Sequence, residues 1–268
     1  MNNSQPLISI IITTHNCELN IESSINSAIN QSYKNIEIII VDDNSIDKTL
    51  NICEKYKYFP KFKLVKNNFN DKQRFYKGVN INAGYYSKNL GIHYSSGEWI
   101  SFLDGGDILN PSKLEIQLQA AKKFKCKHIL TGYERFDSNK KFTRKLEKFN
   151  TNLDDINIIS TNELLKLLKN QNDLMSFLPS VIRKNFPLYF RQSYKLRKII
   201  YPEPMNNFPA CGESVFMHKS IKTRFRSLKE RRWSSAKGRG GDRDFNFQIL
   251  ETYKSSIVVD LPLVYWGV

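Results

Sequence analysis

A chain of 268 residues, 40% of them hydrophobic and with no low-complexity tract, can bury a substantial core, which excludes a disordered or fibrous polypeptide. The four cysteines, Cys17, Cys53, Cys126 and Cys211, show no CxxC spacing. That argues against a zinc site or a disulfide frame and for reduced, structural thiols. The formal net charge of +15 points to anionic partners.

The first half of the chain alternates strands and helices. Residues 7–13 read as a buried strand, and 18–31 place Ile21, Ile25, Ala28 and Ile29 on one helical face. A second strand over 36–41, a helix over 48–56 and a short strand over 63–66 follow. Beyond a turn at 82–84 come a helix around 86–94 and a strand over 98–103. Pro111 suits the first turn of a helix reaching Phe124, with Leu114, Leu118 and Ala121 spaced for burial, before a strand over 129–133. This βαβ alternation predicts an α/β fold with a mostly parallel, doubly wound sheet. After Tyr133 the alternation gives way to charged segments, an isolated helix over 161–168 and loops punctuated by Pro179, Pro187, Pro202, Pro204 and Pro209. A soft boundary near 135 divides the chain into 1–135 and 136–268, the second part leaning on the first as one continuous globule.

No apolar run approaches the ~20 residues that span a bilayer, and residues 1–6 lack the basic and apolar regions of a signal peptide. The expected location is cytoplasmic. Peripheral contact with an anionic membrane stays open, because Lys219, Lys222, Arg224, Arg226, Lys229, Arg231, Arg232, Lys237 and Arg239 share a stretch whose single acid is Glu230. A solvated basic face and an anionic substrate explain that stretch as well. Nucleic acid ranks last, since no DNA- or RNA-reading motif accompanies the charge.

Two strands run straight into acids: 36–41 into Asp42-Asp43, and 101–103 into Asp104-Gly105-Gly106-Asp107. Carboxylates at the C-terminal ends of parallel strands overlie the crevice where open α/β sheets bind nucleotides. The spacing from Asp43 to Glu54 imitates a calcium loop, but Lys48 occupies the place of the required glycine. Thr13–Glu18 has none of the glycines a dinucleotide pyrophosphate needs. His15, His93, His128 and His218 have no ligand spacing and read as structural.

Several blocks in order resemble the family 2 glycosyltransferases of the GT-A fold. They are ISIIITTHN from Ile8, QSYKNIE from Gln31, VDDNSIDKT from Val41, KNLGI from Lys88, SGEWISFLD from Ser96 and GGDRDF from Gly240. The match is nearly continuous from residue 7 to about 114, apart from divergent residues around 68–79, and sparse beyond.

The resemblance implies an inverting, hexosyltransferase-like enzyme that moves a sugar from a nucleotide-diphosphate-sugar donor to an acceptor hydroxyl. Its setting would be polysaccharide or glycoconjugate synthesis, and its acceptor a carbohydrate, glycolipid or glycoprotein. The first half becomes the nucleotide-sugar-binding half of the GT-A domain, and 136–268 the smaller acceptor-binding half. Thr13 and Asn16 fall where the family cradles base and ribose, although Asn16 serves equally as a turn or cap residue. Asp43 matches the base-reading acid. Lys88 replaces a customary arginine and either pairs with phosphate or bridges carboxylates. Asp104 matches the ribose-touching acid, while Gly106 replaces the acid that holds the divalent cation. Asp107 then becomes the metal ligand, with Asp104, for a Mg²⁺ or Mn²⁺ cofactor. Asp242 matches the catalytic base, at a position that also suits a helix N-cap, and Gly241 replaces the preceding glutamate. Asp244 and Glu213 are next in line as base, and Arg239 and Asp244 are candidates for acceptor or phosphate contact. The altered positions 106 and 241 leave open a catalytically impaired nucleotide-sugar-binding relative. A nucleotidyltransferase is the further alternative.

Overall fold

The computed structural model describes residues 5–69, 75–76, 79–80, 84–149, 152–169, 212–227, 230–231 and 241–268. In chain order the elements are β1 (Ile8–Thr14), α1 (Ile21–Ile29), β2 (Ile36–Asp42), α2 (Thr49–Glu54), β3 (Phe62–Lys66), the two-stranded β4 (Phe75–Tyr76) and β5 (Val79–Asn80), α3 (Tyr85–Tyr94), β6 (Trp99–Asp104) and β7 (Ile108–Leu109). There follow α4 (Lys113–Lys123), β8 (His128–Phe136), β9 (Ile158–Ile159), α5 (Thr161–Lys169), β10 (Phe216–His218), α6 (Gly241–Tyr253) and β11 (Ser256–Gly267).

β1 and β2 are buried along their whole length, as strands covered on both faces must be. Their β-branched isoleucines suit the pleat, and each fully buried one contributes roughly 1.5–3 kcal/mol. Alternation sends Ile8, Ile10 and Ile12 to one face, where α1 (Ile21, Ile25, Ala28) and α4 (Leu114, Leu118) pack. Ile11, Ile39 and Phe102 point to the other, against α3 (Leu90, Ile92) and α6 (Phe245, Phe247, Ile249). The result is three layers, helix, sheet and helix.

The sheet runs β3-β2-β1-β6-β10-β8-β11-β7, with β9 paired to β11. β3, β2, β1 and β6 are mutually parallel, and β10 is antiparallel to both β6 and β8. β8 and β11 are parallel again. Strands from both sides of residue 135 therefore complete one sheet. After β1 the chain moves outward to β2 through α1, and after β3 it returns to β6 through α3 on the opposite face. The topological switch lies between β1 and β6, the place where ligands bind in open α/β sheets. Thr13 and Asp104 are register partners there.

Two features of the second half differ from the sequence expectation. β11 is twelve residues long although it contains Pro262, because its pairing with β8 shifts register on either side of that proline. β10 fills the gap between β6 and β8 with three residues, and Phe216 stacks on Trp99 with centroids 4.7 Å apart. Cys17, Cys53 and Cys126 are free thiols, and burial pushes Cys53 up to about 12, which makes it inert. Among the described residues no helix is long and apolar enough to cross a membrane.

Candidate active site

The Lys88–Ile92 block shows how a local motif builds the crevice. Gly84, with φ of 69°, starts α3 and its carbonyl accepts from the Lys88 N–H. Gly91 lies so close to β1 that a Cβ would stand 2.2 Å from Ile11 Cγ2. That close approach swings the Lys88 side chain over the end of the sheet. Asn89 exchanges two 2.8 Å hydrogen bonds with the Phe225 backbone, tying the segment ahead of α6 to α3.

Lys88 Nζ sits among acids from three parts of the chain. It lies 3.1 and 3.2 Å from the two Asp104 oxygens, 2.7 Å from Asp242 Oδ1 and 3.8 Å from Glu213 Oε1. Its side chain is 4% exposed, while those of Asp104 and Asp242 are 39% and 37% exposed and so reachable by a ligand. Burial opposes the lysine's charge, but Asp104, then Asp242 and Glu213, outweigh it and hold its pKa well above the ordinary value. Asp104 experiences the converse. Desolvation works against its charge, and Lys88 together with hydrogen bonds from Glu213 and Thr13 brings its pKa down. The Thr13 hydroxyl donates to Asp104 Oδ1 at 2.6 Å.

Glu213, in a 3-10 turn at Gly212–Ser214, is buried. Burial and then the charges of Asp104 and Asp107 push its pKa well up. Gly212 beside it leaves room for Asp242, whose Cγ would stand 2.3 Å from a Cβ at that position. Asp107 is anchored: its Oδ1 accepts from the Gly267 N–H at 2.9 Å. Burial, then the charge on Asp104, pushes its pKa well up too.

The other end of the crevice lies along β2. Asp43 is buried, its Oδ1 accepts from Asn67 Nδ2 at 2.7 Å, and its carbonyl is 2.7 Å from His15 Nδ1. Asn67 also donates to Ser87 and accepts from the Phe69 N–H. Phe69 and Tyr86 stack beside this network with centroids 4.6 Å apart. Asn16, with φ of 50°, accepts from the Ile46 N–H and donates its own N–H to Ser45 Oγ, so its contacts here are those of a turn residue.

The structure thus brings together Thr13, Lys88, Asp104, Asp107 and Asp242. Asp244 lies apart from the Lys88 cluster: it is fully buried, accepts from Gln248 Nε2 at 2.9 Å, and faces Arg226 Nη1 at 3.7 Å. Arg239 lies outside the described residues, as do Lys229, Arg232 and Lys237. Within the basic stretch Arg224 pairs with Glu230, and buried Arg231 donates to the Arg226 carbonyl. Gly241 makes room for Arg231, whose guanidinium would stand 3.1 Å from a Cβ at that position.

The acids are chemically suited to the hard divalent cation that the sequence resemblance implies. Asp104 and Asp107 supply oxygen donors that feel each other's charge. Among the described residues no group of three or more His, Cys, Asp or Glu side chains is arranged as a metal cage. Two carboxylates fit a cation that completes its shell with substrate phosphates and water.

A switch-point crevice lined by strand-end acids, on a doubly wound sheet extended by β8 and β11, is the framework of a GT-A glycosyltransferase. The Glycosyl transferase family 2 model matches residues 9–196, and the chain belongs to that family. It is 38% identical over 112 residues to the Escherichia coli enzyme WfaP, named a UDP-Glc:alpha-D-GlcNAc-diphosphoundecaprenol beta-1,3-glucosyltransferase, a match covering 42% of this chain and 40% of that one. It is 36% identical over 119 residues to an uncharacterized glycosyltransferase of Haemophilus influenzae, covering 43% and 42%. These matches span less than half the length of either relative. Among solved structures, residues 1–349 of S. aureus TarS superpose with a TM-score of 0.57 at 17% identity, covering 97% of this chain and 60% of that one. TarS has also been solved with UDP and with UDP-GlcNAc.

Proposed function

We propose that this chain transfers a hexose from a uridine-diphosphate sugar to a hydroxyl of a lipid-linked sugar acceptor, with inversion at the anomeric carbon. The observation that carries the reading is the Lys88 bridge, which joins Asp104 on the donor strand to Asp242 at the start of α6. Nucleotide and acceptor class draw on the names of WfaP and of WfgD, also from Escherichia coli, which specify UDP-Glc and a GlcNAc-diphosphoundecaprenol acceptor.

In this mechanism Asp43, oriented by Asn67, accepts from the uracil ring N–H, and Asp104 accepts from a ribose hydroxyl. Asp242 removes the acceptor proton as the oxygen attacks the anomeric carbon from the face opposite the diphosphate. A positioned base contributes roughly 10²–10⁴-fold. Lys88 fixes the spacing between the ribose acid and the base, so that the two substrates meet aligned. A divalent cation held by Asp104 and Asp107 would, when bound, neutralise charge on the leaving diphosphate. Residues 1–135 supply the donor side and 136–268 the acceptor side. An acceptor carried on a lipid places the work at a membrane surface, where the positive charge favours anionic lipid.

The test is a donor screen read twice, by calorimetric affinity for nucleoside diphosphates and by nucleotide release from each sugar donor. Preference for UDP with acceptor-stimulated release supports the reading. Nucleotide binding with no release from any UDP-hexose, in the presence of a lipid-linked GlcNAc diphosphate, overturns it in favour of a binding protein.

A further inference from the structure

Arg243 follows Asp242 on α6 and has a role that the transfer chemistry above leaves unassigned. Its Nη1 is buried and has no hydrogen-bond partner. An unmade bond of this kind costs roughly 1–3 kcal/mol and calls for a functional explanation. Neighbouring arginines are engaged: Arg224 with Glu230, Arg226 facing Asp244, Arg231 on the Arg226 carbonyl, and Arg144 on Glu134.

The surroundings of Arg243 say what kind of group would satisfy it. Burial pushes its pKa down, against the opposing influence of the Tyr133 phenol and of the Asp242 carboxylate, its neighbour in the chain. Tyr133 is on β8, and β10 separates β8 from β6. At strand spacings of about 4.8 Å, Tyr133 therefore lies roughly 10 Å from the donor strand. With Asp242 assigned as the base, its chain neighbour Arg243 belongs to the acceptor side of the proposed transfer. Tyr133 meets Trp266 edge to face with centroids 5.6 Å apart, and both rings are half-buried. The exposed guanidinium of Arg135 lies 5.3 Å from the Trp266 centroid. Trp266 precedes Gly267, whose N–H holds Asp107, so the ring pair borders the acid cluster. A cationic fork beside aromatic walls suits a sugar carrying a phosphoryl group, because guanidinium matches phosphate in a planar, two-pronged geometry.

We propose that Arg243, with Tyr133 and Trp266, forms an acceptor subsite that reads a phosphoryl group attached to the acceptor sugar. The proposal rests on the assignment of Asp242 as the base of the transfer. The shared chemistry is a phosphate or diphosphate ester, whether borne by a lipid or free.

UDP affinity of the full-length protein is measured first and by itself, which tests the donor reading independently. The probes, inorganic pyrophosphate and undecyl diphosphate, are then titrated into UDP-saturated protein. Wild type is expected to bind both. Arg243→Met should weaken both by at least ~10-fold, and Arg243→Lys by less. UDP affinity should stay within about twofold in each variant. Tighter binding of undecyl diphosphate than of pyrophosphate identifies a lipid-borne source, and equal binding a free one. Because the guanidinium lacks a protein partner at Nη1, the melting temperature of Arg243→Met should hold or rise. Unchanged probe affinity in Arg243→Met overturns the proposal. A parallel loss of UDP affinity also overturns it, since Arg243 would then read the donor diphosphate. A lowered melting temperature with probe binding intact would make the residue structural.

Discussion

Lys88 Nζ and Asp242 Oδ1 are 2.7 Å apart across 154 positions of sequence. This contact fastens the start of α6 to the sheet end, because the same ammonium also bridges to Asp104. One buried cation therefore positions Asp104 and the proposed base relative to each other.

Lys88→Met keeps the volume and removes that cation. Breaking a fully buried ion pair costs roughly 3–5 kcal/mol. The loss here should be smaller, since both main partners are more than a third exposed. Urea denaturation should show a lowered midpoint, and nucleotide release should fall more steeply than UDP affinity. An unchanged transfer rate in a folded Lys88→Met protein would remove Lys88 from the positioning role.

Asp242 and Glu213 can be told apart by amide substitution. Asp242→Asn keeps an oxygen for Lys88 but loses the proton acceptor, so kcat should drop at least ~10²-fold while UDP affinity persists. Burial and the neighbouring acids push the Glu213 pKa well up, so losing its ionisable proton should matter little, and an amide keeps its size. Glu213→Gln should therefore leave kcat within about threefold. Reversal of these two results would make Glu213 the base.

The first half of the fold was legible because its signals are local. Ile8–Thr14 and Ile36–Asp42 are apolar runs of strand length ending in polar residues, and Lys88, Asn89 and Gly91 sit close together in sequence while each makes its own contact. The second half depends on partners far apart in the chain. Asp107 is held by Gly267, 160 residues away, and β11 continues past Pro262 only through a register shift. Glu213 gave a faint signal, as an acid after a glycine and ahead of the short apolar run Val215–Met217. The upward push on its pKa comes from burial and then three-dimensional crowding by Asp104 and Asp107, which no spacing rule contains. Asn67 lay in no motif, and Arg243 sat inside the GGDRDF block without a role attached to it.

In the proposed mechanism Asp43, held by Asn67, reads the nucleobase. Asp43→Ala should weaken UDP binding without a comparable change in the turnover of bound donor. Asn67→Ala should weaken it less, because it loosens the carboxylate without removing it. Hydrogen bonds to charged groups contribute roughly 1.5–3 kcal/mol, so the Asp43 loss should be about 10- to 150-fold in Kd. Calorimetry against UDP, GDP and ADP checks both magnitude and selectivity. Equal affinity of Asp43→Ala and wild type for UDP removes Asp43 from the site.

Gly106 cannot simply be restored to an acid. Its φ of 109° disfavours any side chain, although a Cβ would meet no atom within 4 Å. Gly106→Ala should therefore cost roughly 1–3 kcal/mol from backbone strain alone. Gly106→Asp should show the same stability loss together with tighter Mn²⁺ binding, read by electron paramagnetic resonance. Wild-type activity should keep rising with Mn²⁺ or Mg²⁺ into the millimolar range. Saturation at trace metal would mean that further ligands complete the site.

His128 gives the fold a defined acid sensitivity. It is fully buried, with Nδ1 2.8 Å from Ser256 Oγ and Nε2 3.3 Å from Asn246 Oδ1. A single neutral tautomer serves both, accepting from the serine and donating to the asparagine. Burial brings its pKa down from 6.5 to about 4, against the hydrogen bond to Asn246. Between these values the unfolded chain binds a proton that the folded chain does not, so stability rises with pH across the window. The contribution is complete above about pH 6.5 and is lost as pH falls toward 4, amounting to about 3 kcal/mol over the full range. Urea midpoints measured from pH 7 to pH 4 should fall for wild type and fall less steeply for His128→Gln, whose amide is neutral throughout. Parallel slopes in the two proteins would mean that the carboxylates alone set the acid limit of this fold.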